Sequence, residues 1–284
     1  MSGAVSRGIA AVPAVGPLRV VGWFAHSLAR HWDLLWQMVA TDLRGRYVGS
    51  SLGLFWTVIH PLVMITIYVV VFSQVMGGKL PGTSDRYAYA IYLCSALLPW
   101  LAFQEVVVRL TTVFPDNGNL VRKIAFPKML LFGYVTLSSA INLSVGLGVF
   151  LLAMIVTGHA FHAVFLLWIP FVALQLAFGL GLGVITSVLH VFVRDTAQFV
   201  TVAFQLAFWA TPIVYVETIL PESLQRALYW NPLAAFSRTH RDIMLYATPP
   251  SLLRTLALVG LTAGTLALGT ALYRQFRADI LDEL

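Results

Sequence analysis

The chain has 284 residues, of which 59% are hydrophobic and only 11% are charged. Soluble domains carry about 25% charged residues, so the composition excludes a water-soluble enzyme and points to a polytopic membrane protein. Lys and Arg outnumber Asp and Glu by 18 to 12, but the basic residues are scattered between apolar segments, which suits anionic headgroups and membrane topology rather than a nucleic-acid partner.

Residues 1–27 are rich in Ala, Val, Gly and Pro and read as a disordered cytoplasmic tail. Pro13, Gly16 and Pro17 interrupt the one stretch that could form the apolar core of a signal peptide. An amphipathic helix follows over 28–46. At about 100° per residue, Leu28, Trp32, Leu35, Trp36, Val39 and Leu43 share one third of its circumference, opposite Arg30, Asp33, Gln37, Thr41 and Arg44. Such a helix lies along a membrane surface. The basic turn Arg44-Gly45-Arg46-Tyr47 then leads into a stretch without formal charge that reaches Lys79. It is long enough for a first span of about 20 residues, placed at 52–76.

A second span is expected over 88–112. It holds Glu105, with Arg109 four residues later on the same face, a pair read as structural. The loop after it carries the turn signal Pro115-Asp116-Asn117-Gly118 and then the basic, half-apolar Leu120-Val121-Arg122-Lys123-Ile124. That segment is either an ordinary basic inner loop or a short helix that docks on a soluble partner. Met129 to Val193 has no formal charge and is divided by Thr157-Gly158-His159 into spans at 129–156 and 163–190. A fifth span is expected at 196–216 and a sixth at 252–274, bracketed by Arg254 and Arg274. Between them, 217–248 reads as two short helices split by Asn231-Pro232, a re-entrant or interfacial outer hairpin. The predicted fold is an all-α membrane protein of six transmembrane helices, treated as one membrane domain over 28–284.

With six spans and the N-terminus inside, twelve of the 18 basic residues fall in inner segments. The positive-inside rule then places both termini in the cytoplasm. The outer segment before the sixth span fits that rule least. The single cysteine, Cys94, excludes an intramolecular disulfide. His60 and His190 read as packed, hydrogen-bonded histidines. His159 and His162 lack an acidic or thiol neighbour to complete a metal site. There is no phosphate-loop motif and no nucleophile elbow, so the chain is not expected to hydrolyse ATP by itself. Aromatic residues concentrate in the first and fifth spans, where lipid contact and helix packing are their ordinary use; their rings would also offer stacking surfaces to a sugar chain, many weak sites rather than one tight one.

Four stretches in order carry a resemblance: DLRGRYVGSSLGLFWTVIHPL at 42–62, NLVRKIAFPKMLL at 119–131, VFVRDTAQFVTVAFQLAFWATPIVY at 191–215 and LYWNPLAAFSRTHRDIML at 228–245. Together they are similar to the permease subunits of ABC-2-type polysaccharide exporters, which move O-antigen, capsular polysaccharide and teichoic acid. The resemblance implies a homodimer in the bacterial inner membrane, served by two copies of a cytosolic ATPase that bind the ATP and Mg, with no cofactor on this chain. It implies ATPase coupling through Asp42, Arg44, Arg46, Tyr47, Asn117, Asn119, Arg122 and Lys123. It also implies a glycan path lined by Phe55, Trp56, Tyr68, Phe72, Phe204, Phe208, Trp209 and Tyr215, and an outer gate at Tyr229, Trp230, Asn231 and Pro232. Glu105, Arg109, Arg194 and Asp195 would be structural or gating charges, and the resemblance implies a lipid-linked polysaccharide as cargo. Two alternatives stay open: an ABC-2 exporter of a drug or lipid, and an integral membrane glycosyl or acyl transferase.

Overall fold

The computed structural model describes residues 29–46, 48–71, 87–123 and 127–283, with the side chains at 54, 121–123, 281 and 282 outside that description. Every regular element among them is helical. The amphipathic segment forms α1 (Trp32–Gly45), which buries Leu35 and Val39 against a later helix. A 3-10 turn, Gly53–Phe55, leads into α2 (Trp56–Val70). The centre of the molecule is α3 (Ala88–Thr111), apolar on most of its circumference and correspondingly buried. Two short helices follow, α4 (Val113–Asp116) and α5 (Gly118–Lys123), and then α6 (Met129–Val156).

A 3-10 turn over Ala163–Leu167 opens α7 (Trp168–Phe192), which lies between α3 and α11 (Leu252–Phe276). Small residues permit that closeness. A methyl group at Gly181 would stand 2.8 Å from the backbone nitrogen of Leu266 on α11, and one at Gly183 would stand 2.5 Å from Leu110 on α3. The neighbour on α11 cannot withdraw, because it is backbone.

Four helical segments, 88–111, 129–156, 163–192 and 252–276, are long and apolar enough to cross a bilayer. Two apolar helices are shorter, α2 and α8 (Thr196–Ala210), each of 15 residues. At 1.5 Å per residue these measure about 22 Å, less than the ~30 Å hydrocarbon core. The part of the expected first span beyond residue 71 lies outside the described residues. The helix expected to reach 216 ends at Ala210, because Pro212 excludes Thr211 from the helical region and holds it extended at φ −111°, ψ 131°.

The segment after α8 forms a 3-10 turn at Glu217–Ile219, α9 (Glu222–Leu228) and α10 (Pro232–Met244). Asn231 caps α10 by accepting the Leu233 N–H, and Pro232 occupies the first turn, where its missing N–H costs nothing. α10 is strongly amphipathic and wedges Phe236, Ile243 and Met244 between α3 and α7. A last short helix, α12 (Asp279–Glu283), returns to α7.

Candidate functional site

Asp42 and Arg46 stand one turn apart at the end of α1, and both turn inward. Arg46 donates to Glu105 at 2.6 Å and to Asp42 at 3.3 Å. Arg109 donates to Glu105 at 3.3 Å and also pairs with Asp42. The Ser138 hydroxyl of α6 donates to Asp42 at 2.7 Å and receives Arg109 at 3.2 Å. The result is a ring of two acids and two arginines that fastens α1 to α3 and α6. Each charge touches two of opposite sign, so the cluster is neutral and its hydrogen bonds are charge-assisted. Burial opposes the charge on Arg46, but Glu105 and Asp42 outweigh it and hold the guanidinium above the ordinary arginine range. The sequence pairs Glu105 with Arg109; the structure adds Asp42, Arg46 and Ser138, partners that spacing along the chain could not reveal.

The other residues assigned to coupling are placed differently. Arg44 and Asn119 are exposed. Asn117 donates to the Val113 carbonyl at 2.8 Å and to the Tyr134 hydroxyl at 3.2 Å, tying the end of α4 to α6. Arg122 and Lys123 belong to α5, but their side chains lie outside the described residues, as does Tyr47. Arg194 and Asp195 are exposed at the turn between α7 and α8 and form no ion pair among the described residues.

The aromatic residues separate into two layers. Phe55, Trp56 and Trp209 are exposed, and Trp56 donates its indole N–H to Ser50 at 3.0 Å. Phe204 is buried, edge-on to Trp100 at 6.0 Å and to Phe103 at 5.4 Å. Phe208 is half-buried, also edge-on to Trp100 at 6.0 Å. Phe208 meets the exposed Trp209 edge-on at 5.4 Å and so backs that ring. Tyr68 is packed on the core, Tyr215 donates to the Trp209 carbonyl at 2.9 Å, and Phe72 lies outside the described residues. Trp100 and Phe103, which back Phe204, stand in the charge-free run that marks α3, and nothing in their spacing singles them out.

At the other end of the molecule, Tyr229 and Trp230 are exposed at the turn between α9 and α10. Asn231 also donates to the Ala210 carbonyl at 3.0 Å and to Thr211 at 3.2 Å, joining that turn to the end of α8. Of the four arginines in the segment that fits the charge rule least, three are held within the fold. Arg238 donates to both Glu217 oxygens at 2.9 Å, and Arg254 pairs with Asp242. Arg241 is buried, donates to the Ile213 carbonyl at 2.9 Å and lies 3.5 Å from the Tyr92 ring centre. His240 meets Gln175 at 2.7 Å, and burial followed by the Arg241 charge pushes its pKa down to about 3.

Two histidine expectations need correction. His60 is exposed and has no hydrogen-bond partner among the described residues. His190 keeps Nδ1 buried without one. His60 lines a cavity in which no described group reaches it, and none of the described residues offers Nδ1 of His190 a partner. His159 and His162 both pack on the Phe165 ring, and among the described residues no three His, Cys, Asp or Glu side chains gather as metal ligands.

Residues 33–245 match the family described as ABC-2 type transporter. The O-antigen export system permease protein RfbA of Klebsiella pneumoniae is 29% identical over 224 residues, 78% of this chain and 84% of that protein. RfbA of Myxococcus xanthus is 27% identical over 262 residues, 91% of this chain and 98% of its own length. The polysialic acid transport protein KpsM of Escherichia coli is more distant, 21% identical over 243 residues, covering 82% and 89%. The family match runs from α1 through α10 and so includes the ion cluster, the aromatic layers and the Asn231 turn. By that extent, the chain belongs to the ABC-2 type transporter family.

Proposed function

We propose that this chain is the permease of an ATP-driven exporter that moves a lipid-linked polysaccharide across the bacterial inner membrane. The names of its relatives support the cargo class, and the absence of a nucleotide motif from the sequence supports a separate ATPase partner. The working unit is a homodimer with two ATPase copies, six crossings per chain and both termini in the cytoplasm. The observation that carries the mechanism is the neutral ring joining α1 to α3 and α6. A helix lying at the membrane surface can deliver the partner's motion only if it is fastened to the helices it must move. Asp42 and Arg46 supply that fastening, while exposed Arg44 and the α4–α5 loop offer contacts to the ATPase. The exposed rings of Phe55, Trp56 and Trp209 give the glycan apolar surfaces without fixed charge to trap it.

Deleting the chain from its host, with the polymer-making enzymes left intact, tests this reading. Surface glycan should vanish while lipid-linked polymer accumulates inside. Restoration should require both the chain and an ATPase partner able to hydrolyse ATP. Normal surface glycan in the deletion strain would overturn the assignment.

A further inference from the structure

Beside the ion ring, a cavity of about 220 Å³ opens between α2, α3 and α6. Its walls follow helical spacing: Trp56 and His60 on α2, Leu98, Leu101 and Glu105 on α3, Asn142 and Gly146 on α6. Most of the lining is apolar, but its polar groups are left unused. Neither His60 nor Asn142 has a hydrogen-bond partner among the described residues. Pro61 has no N–H, so the Thr57 carbonyl, one turn earlier in the wall, lacks its helical donor. Glu105 accepts both arginines on Oε1, at 2.6 and 3.3 Å, and its Oε2 receives nothing from the described residues. Residues bearing an imidazole, an amide, a free carbonyl and a carboxylate oxygen thus line one cavity beside an indole, in a segment where unpaired polar groups are costly.

An acyl chain would leave all four groups unpaired. Drug-sized ligands need roughly 300 Å³ or more, so this cavity takes about one ring-sized unit. Donors and acceptors around one aromatic surface suit a ring that is apolar on its faces and hydroxylated on its rim. We infer that the cavity binds a single sugar ring of the exported glycan, and that Glu105 couples its occupancy to α1. This rests on the export reading above. A hydroxyl donated to Oε2 draws on the same carboxylate that holds Arg46 and Arg109, so cargo and the α1 fastening share one residue. The ring then registers the presence of glycan as well as the motion of the ATPase.

Asn142→Cys in the full permease–ATPase complex tests this. The one native cysteine, Cys94, is 1% exposed and should stay unreactive. Inverted membrane vesicles are treated with a small hydrophilic methanethiosulfonate. They come from cells making the glycan and from cells lacking the first glycosyltransferase of its synthesis. Glycan should slow labelling of the introduced cysteine about tenfold when present at roughly ten times its Kd, without slowing a control at exposed Ala278→Cys. Failure to label in either vesicle would mean a lipid-filled cavity, and equal rates would mean one filled only by water; each overturns the inference. Should Asn142→Cys fail to accumulate, Thr57→Cys reads the same cavity. Equal rates in a strain that needs this chain for surface glycan would sink the cavity assignment alone, whereas surface glycan without the chain would sink the export reading beneath it.

Discussion

α3, α7 and α11 contrast with α2 and α8. The first three are held at backbone contact, with Gly181 and Gly269 facing across α7 and α11 and Gly183 receiving Leu110 from α3. α2 buries only Ile65 within the chain, and α8 only Val200 and Phe204. The close-packed trio has no slack: a displacement there opens voids or forces backbone into backbone. The thinly held pair can shift at small cost to the fold. It also carries the exposed rings of Trp56 and Trp209. In the export proposed above, the first set would serve as a rigid frame and the second as a wall that yields.

The contrast breaks most completely if the trio is spread. Gly181→Val puts a side chain within 2.7–2.9 Å of Thr265 and Leu266 on α11. Overpacking costs about 1–3 kcal/mol even where side chains can adjust, and here backbone blocks adjustment. We expect loss of folded, detergent-stable protein, read by size-exclusion chromatography; a monodisperse variant of unchanged Tm would refute the rigid frame. Next comes the ring that joins frame to surface helix. Arg46→Glu should destabilise by about 1.5–3 kcal/mol, the range for hydrogen bonds to charged groups. Arg44→Glu, at an exposed position, should leave Tm unchanged while weakening ATPase association in a pull-down. Equal Tm values for the two variants would dissolve the distinction between inward and outward charges on α1.

A smaller effect is expected from pH. His240 titrates near 3 in the fold against about 6.5 when unfolded, so only the unfolded state gains a proton between those values. Stability should therefore be full above pH 6.5 and fall as pH drops towards 3. His240→Gln should flatten that part of a Tm–pH series, and an unchanged slope would assign the loss to other groups. The smallest change in stability is expected in the pliant wall. Trp56→Ala with Trp209→Ala should alter Tm little, since exposed substitutions usually lie within about 0.5 kcal/mol, but should slow export of long chains in a surface-glycan ladder. Unchanged chain transfer would remove both rings from the path.

Helix positions were legible because charge is so costly in an apolar segment that its absence marks α3, α6, α7 and α11 directly. The end of α8 was legible too, from Thr211-Pro212, but hydropathy alone carried the expectation six residues too far. The alternation Gly179-Leu180-Gly181-Leu182-Gly183 is the sequence mark of close approach on both sides of α7. The ion ring shows where sequence reasoning stops. Glu105 and Arg109 share a helix face and could be paired by counting, whereas Asp42 finds Arg109 across 67 residues through packing alone. Likewise, the hydrophobicity of Phe204 and Trp209 is similar, and only the position of Trp100 determines which ring lies behind the other.

The ring also orders biogenesis. Asp42 emerges from the ribosome long before its partners, Arg109 lying 67 residues later and Ser138 96 residues later. Until α3 and α6 have both entered the bilayer, α1 has no fastening and its charges stay in water. Docking of α1 thus certifies that two downstream helices are inserted side by side; under the coupling proposed above, a subunit lacking either one would offer its partner ATPase a loose helix unable to transmit force.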